Sequence, residues 1–356
     1  MNKSKRRAQV LYLVIVTFVI GLAMACTKNL PDPYLSFGSD MLFTQKTYKP
    51  TLGRNTLFSD NFSAGSSSLP LDFKIVNLTR HNGEPAPELM GYYPVLVWKS
   101  PYLGNEESLE EIEAKRVFEN HQLFEIRKHS GQFLVWSAAN SNFIKAQPDS
   151  GYVFDVEVSN SGGRKYFQDF RLIPTREVEY EPNPNGYDPV TGQAVSTVIA
   201  PSSVSNIRGA TTGSKLEASD IRILMERANK DDQALIPPYE GAYSLKIKVV
   251  DSLFNPIDLN KFNTTDWKNL VHGFDMKFMN DSVIYKVAYP IPLTNIPTRY
   301  TTGDGNSART TISYTRQGFG NIKEDAFFSF DFKIFEPGDW VITFRFIDEI
   351  PKFDND

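Results

Sequence analysis

The chain has 356 residues, with 38 Lys and Arg against 42 Asp and Glu and a formal net charge of −4. That balance excludes the basic surface by which nucleic acid or anionic headgroups are held. Apolar residues at 41% and charged residues at 22% exclude wholesale disorder, and 13% aromatics with 22 Gly and 22 Pro point to many short strands joined by turns.

The N-terminus carries Lys3, Lys5, Arg6 and Arg7 ahead of an uncharged run whose apolar part spans Val10 to Ile20. Small residues follow, Gly21-Leu22-Ala23-Met24-Ala25, then Cys26. A basic n-region, an apolar h-region and small residues compose a secretory signal. The stretch is about 16 residues, short of the ~20 a helix needs to cross the hydrocarbon core. Ala23-Met24-Ala25 is an A-x-A site, and Leu22 with Cys26 resembles a bacterial lipobox. Its leucine stands one place further from the cysteine than usual, and Met24 takes a position normally small.

Cys26 is the only cysteine, so no internal disulfide can form. A free thiol in an exported protein invites oxidation, whereas acylation gives this one a use. The expectation is a lipoprotein signal peptide over 1–25, lipid attached at Cys26, and a tether over 26–36.

Residues 37–178 read as a first β-sandwich. Leu71 to Asn77 alternates apolar and polar, and Tyr93 to Trp98 reads as a more buried strand. Ser108 as N-cap with Glu111 three places on predicts a helix running to about Asn120. The acidic residues Glu106, Glu107, Glu110, Glu111 and Glu113 gather at its start, where the helix dipole favours them. Phe124–Arg127 with Phe133–Trp136, and Tyr152–Val158 with Arg164–Leu172, read as hairpins. In the latter, Asp155 and Glu157 alternate with Val and Phe as a solvated strand face does.

Residues 179–203 hold Pro182, Asn183, Pro184, Asn185, Gly186 and Pro189 and read as a linker. Residues 204–356 repeat the strand pattern. Tyr243–Val250 alternates, Phe278–Met279 pairs with Val283–Val287, and Phe328–Phe335 forms a hairpin with Trp340–Ile347. A short helix is expected near Thr265. The fold class predicted is mostly β: two tandem immunoglobulin-like antiparallel β-sandwiches, with one short helix inserted in the first.

Chemistry is sparse. His81, His121, His129 and His272 form no H-x-x-x-H or H-E-x-x-H pair, and neither a G-x-S-x-G elbow nor a P-loop occurs. Catalytic, metal and cofactor residues are therefore all predicted as none. Gly303-Asp304-Gly305-Asn306-Ser307 resembles half a calcium loop, but Arg309 follows where ligands are needed, so a hairpin tip is expected. Aromatic side chains remain as platforms on which sugar C–H faces stack. Trp267, Tyr102 and Tyr300 are the candidates, drawn from a set including Tyr92, Tyr93, Trp98 and Tyr314, while Trp98, Trp136 and Trp340 adjoin apolar runs and suit the core.

Several segments carry a family resemblance: Thr51 to Phe58, Gln147 to Val158, Val204 to Gly209, Asn263 to Trp267, Ala288 to Leu293 and Gly318 to Ile322. Together they resemble a family of uncharacterised lipoproteins from the Bacteroidota. The resemblance implies a setting near outer-membrane TonB-dependent transporters and their glycan-capture lipoproteins, and it transfers no site residue. The function expected is a non-catalytic outer-membrane lipoprotein, on the surface or the periplasmic face, that binds polysaccharide or assists a transporter complex and not nucleic acid. A structural or adhesive envelope protein is the alternative. A glycoside hydrolase with two carboxylates across a cleft is the second.

Overall fold

The computed structural model describes residues 34–354, apart from 184–187, 189–190, 192, 195 and 231–240, together with residue 12. The signal segment, Cys26 and most of the tether lie outside the described residues, as does part of the expected linker.

The first half opens with four short strands: β1 (Leu42–Phe43), β2 (Thr47–Tyr48), β3 (Thr56–Phe58) and β4 (Phe62–Ser63). The long β5 (Asp72–Arg80) follows, then a one-turn helix, α1 (Pro87–Met90), and β6 (Tyr92–Trp98). Next come α2 (Leu109–Ala114), β7 (Arg116–Gln122), β8 (Phe124–Ile126), β9 (Phe133–Val135), β10 (Tyr152–Asn160) and β11 (Gly163–Leu172). One sheet has the order β2-β11-β10-β5 and another β3-β9-β8, while β1 with β4 and β6 with β7 form two-stranded pairs.

Alternation explains the packing. Tyr152, Phe154, Val156 and Val158 of β10 all point to one face and are buried. They meet the other sheet in an aromatic core, where the Phe133 ring lies 5.5 Å from Phe124, 5.5 Å from Phe154 and 6.2 Å from Phe170. Each such ring, fully buried, contributes about 1.5–3 kcal/mol.

The second half comprises β12 (Tyr180–Glu181), β13 (Ser203–Ser205), β14 (Ile221–Arg227), β15 (Tyr243–Val250) and β16 (Phe274–Phe278). It closes with β17 (Ser282–Val287), β18 (Ala308–Gly318), β19 (Ile322–Ile334) and β20 (Trp340–Phe346). A five-stranded sheet runs β14-β20-β15-β17-β16; the other is built on β19, which pairs with β18, β13 and β12. Phe328 and Phe330 of β19 reach Phe344 of β20 at 5.1 and 6.0 Å, joining the sheets through one core. The chain is thus mostly β, with two sheet-on-sheet cores.

Four expectations need correction. The helix begun at Ser108 ends at Ala114, and the residues to Gln122 form β7, because β6 offers a pairing edge that the β-branched Val117 fits. The cap is also only half reciprocal: Ser108 Oγ accepts from Glu111 N–H at 3.2 Å, but the Glu111 carboxylate accepts from Glu107 N–H at 2.9 Å. A second short helix, α1, accompanies it, while the short helix expected near Thr265 is present as a 3-10 turn over Trp267–Asn269. Phe328–Phe335 and Trp340–Ile347 do not pair with each other, since β19 and β20 belong to opposite sheets and the turn between them crosses the core. Finally, the sheets are not wholly antiparallel: β2 pairs parallel with β11, and β15 with β20.

A third, small apolar cluster joins the halves. Tyr102, Leu109 and Ile112 from the first pack with Ala288 and Leu293 from the second, and Trp98 and Phe274 lean on them.

Candidate functional site

β6 and β7 form an antiparallel ribbon running from Tyr92 opposite Gln122 to Trp98 opposite Arg116. The two-residue period places Tyr93, Val95 and Val97 toward the first core, where Tyr93 stacks on Phe143 at 5.6 Å and Val95 is buried. The other face carries Tyr92, Pro94, Leu96 and Trp98 with their partners Gln122, Asn120, Phe118 and Arg116. This face is open. Tyr92 is 71% exposed and Phe118 74%, and Pro94 and Asn120 are exposed between them. Four residues of register separate the two rings, roughly 13 Å along the strand.

Polar groups on the strip are amides. The Gln122 side chain donates to the Met90 carbonyl at 3.2 Å, fixing it beside Tyr92. Arg116, the one charged residue on this face, is buried at the far end, where its guanidinium covers Trp98 at 5.4 Å and donates to the Tyr289 carbonyl at 2.8 Å. Such a surface can stack on flat C–H faces and exchange hydrogen bonds with neutral hydroxyls.

Where the ribbon meets the second half, a histidine organises the aromatics. His272 Nε2–H donates to the Glu106 carbonyl at 3.0 Å, which leaves Nδ1 to accept from the Tyr102 hydroxyl. Tyr300 stacks on the imidazole at 4.6 Å and 3°, and Phe274 leans on it at 5.2 Å. Burial pushes His272 below its ordinary pKa, against the raising influence of Glu106, so the ring is neutral. Burial, and then the Glu106 charge, raise the Tyr102 phenol well above its usual range. Burial also opposes charge on Glu106, yet Lys115 Nζ at 2.5 Å and the N–H groups of Leu103 and Gly104 at 2.9 Å hold its carboxyl down to about 2.

Of the three stacking candidates, two therefore meet on His272. Tyr102 is only 8% exposed and offers no free face, and Tyr300 is half-buried. Trp267 lies on its own turn, half-buried and edge-on to Phe278 at 5.5 Å, with its carbonyl accepting from the Tyr285 hydroxyl. It connects to the others through Asp266, which pairs with Arg299 at 3.4 Å beside Tyr300. Trp136, Trp340 and Tyr314 are core residues. The exposed pair is Tyr92 with Phe118, and Phe118 was hidden by the helical reading of 108–120. Alternation across Val117, Glu119 and His121 was the signal that could have exposed it.

Other arrangements are less suggestive. Glu179 and Glu336 touch at the surface with Arg227 between them, Nη2 to Glu336 at 2.6 Å and Nε to Glu179 at 3.6 Å; burial and then Glu336 raise Glu179. Direct contact is closer than the roughly 5–9.5 Å that glycoside hydrolysis sets between its carboxylates. A cavity of about 360 Å³ opens between Ile144, Lys145, Asp149 and Arg176. Among the described residues no three His, Cys, Asp or Glu side chains are grouped to hold a metal. Asp304 of the glycine-rich tip is occupied by Thr302 and Asn306, whose hydrogen bonds hold its carboxyl down to about 2.

Taken by fold and surface, the chain is a mostly β protein of two packed cores with an exposed aromatic ribbon. Residues 62–355 match the family described as a domain of unknown function (DUF5007), and the chain belongs to that family. No match was found among curated proteins. Among solved structures, the N-terminal four Ig domains of Dscam1 isoform 4.4 align with 89% of this chain and 53% of that one, at 10% identity and a TM-score of 0.17. The chain spans about half the length of that structure, and a superposition this loose carries no argument.

Proposed function

We propose that this is a non-catalytic lipoprotein, anchored through Cys26 to the outer membrane, that captures polysaccharide on the β6–β7 ribbon as an accessory to a transporter complex. One observation carries the binding reading: Tyr92 and Phe118 stand more than 70% exposed on one face of a strand pair, with amides beside them and the face's one charged residue, Arg116, buried at the far end and paired with Glu113. Single exposed rings are ordinary, but these two share one strand face with the half-buried Leu96 and Trp98, and a contiguous apolar strip is what marks an interaction surface. The sequence resemblance to Bacteroidota lipoproteins supports the setting, and the export signal with its single cysteine supports the anchor. Affinity gels with a panel of neutral and acidic polysaccharides test the reading. Retardation in neutral gels, weakened in Tyr92→Ala and Phe118→Ala, is expected; mobility unchanged in every gel would contradict it.

A second reading, an adhesive or structural envelope protein, draws on a different feature. The β18–β19 tip holds Phe319 at 92% and Ile322 at 65% exposure, an apolar point suited to a protein partner. Cross-linking from Phe319 to an outer-membrane protein, with silent polysaccharide gels, would favour it.

A further inference from the structure

The described chain begins at a particular end of the first half. Leu35 N–H donates to Ser161 Oγ at 3.0 Å, and the Asn160 amide reaches the carbonyls of Ser36 at 3.0 Å and Ser68 at 3.2 Å. The entering segment and the loop before β5 are thereby stitched to the β10–β11 turn. The Lys128–His129 turn joins them, since both residues pair with Asp72, at 3.6 and 3.2 Å, and Asp72 lies opposite Ser159. Three turns thus converge where the chain enters.

That end carries two exposed apolar side chains: Tyr34 is 85% exposed and Leu69 is 68% exposed, beside the solvent-open cations Lys128 and Arg164, which pair with Asp72 and Glu157. Amphipathic tyrosine, an aliphatic side chain and long basic residues are the combination that settles at a bilayer interface. Nine peptide steps separate Leu35 from Cys26, at most about 30 Å fully drawn out and nearer 17 Å as a relaxed coil. An acylated Cys26 would therefore hold this end within about 30 Å of the lipid.

We propose that the turn end of the first half, marked by Tyr34, Leu69, Lys128 and Arg164, docks on the phospholipid bilayer surface and sets the orientation of the whole molecule. β5 leads away from this end to Arg80, whose guanidinium pairs at 3.0 Å with Glu88 of α1, so the Tyr92 end of the ribbon starts from the opposite end of β5. The inference rests on the lipid anchor of the proposed function but not on the identity of any glycan.

The test uses the acylated full-length protein in phosphatidylcholine vesicles. Cys26 is the only native cysteine, so once it is acylated, Leu69→Cys and Phe319→Cys each accept a single environment-sensitive fluorophore. The label at position 69 should blue-shift on vesicle binding and lose most of its intensity to brominated lipid, while the label at 319 stays aqueous. Palmitate incorporation is scored on the same samples. Acylated protein with an aqueous label at 69, or with quenching at 319 instead, overturns the docking and leaves the anchor standing. Absence of palmitate overturns both.

Discussion

At the scale of single residues, His272 is a titratable group held on several sides. Its neutral ring sits between the Tyr102 hydroxyl and the Glu106 carbonyl, under Tyr300. Because burial lowers its pKa in the fold, the unfolded chain binds the proton more readily between the folded value and about 6.5. Stability must then rise with pH across that window. The contribution is fully present above pH ~6.5 and lost as pH falls through the folded value. Denaturant titrations from pH 5 to 8 should show this slope in the native protein and its absence in His272→Phe. That variant also leaves the Tyr102 hydroxyl without its partner, at a cost of about 1–3 kcal/mol. A slope identical in both would remove His272 as its source.

Backbone positions are equally specific. Gly151 has φ +70°, and a Cβ built there would lie 2.2 Å from the Leu172 carbonyl oxygen. Gly83 shares a positive φ but has nothing within 4 Å. Gly151→Ala should therefore cost clearly more than the roughly 1 kcal/mol expected of Gly83→Ala, read as the difference in denaturation midpoint.

At the scale of elements, the ribbon separates folding from function. Phe133 is wholly buried among five other rings, so Phe133→Ala should cost about 3–5 kcal/mol. Phe118, at 74% exposure, supports no core, and Phe118→Ala should change stability by no more than about 0.5 kcal/mol. Thermal melts of the two variants check the contrast; a large loss from Phe118→Ala would make the ring a packing residue.

Much of this was legible in the chain. Tyr152–Val158 alternates so strictly that local pattern decides both its strand state and its buried face. Tyr243–Val250 is a strand as its pattern predicts, but as the middle strand of its sheet it buries Ser244 and Lys246 on the polar face as well. Arg116–Gln122 was not legible as a strand, because a good helix start at Ser108 has no local stop signal before it. Its strand state comes from β6, a tertiary partner. The β19–β20 connection misled for a similar reason, since a turn of Glu336, Pro337, Gly338 and Asp339 serves a hairpin or a crossing between sheets equally well. Exposure of Tyr92 was beyond local pattern altogether. Tyr92 and Tyr93 are adjacent and chemically alike, and only the core beneath the ribbon decides which of them is covered.

At the scale of the whole molecule, two cores are joined by a narrow apolar seam in which Ile112 is completely buried. Ile112→Ala should loosen that seam and cost about 2–5 kcal/mol. Calorimetry should then resolve two unfolding steps further apart than in the native protein; a single unchanged transition would mean the halves are coupled by other contacts.

The seam also anchors the end of the ribbon, through Arg116 and the Tyr289 carbonyl, so the ribbon is braced by both halves while its aromatic faces stay open. These open faces are proposed to hold a neutral polysaccharide. Calorimetric titration of the mature protein and of the Tyr92→Ala/Phe118→Ala double variant with the polysaccharide that gels identify tests it most directly. Two lost stacking contacts, each about 0.5–1.5 kcal/mol, predict a Kd raised about 5- to 150-fold with the melting temperature unchanged. An equal Kd for both proteins would contradict it.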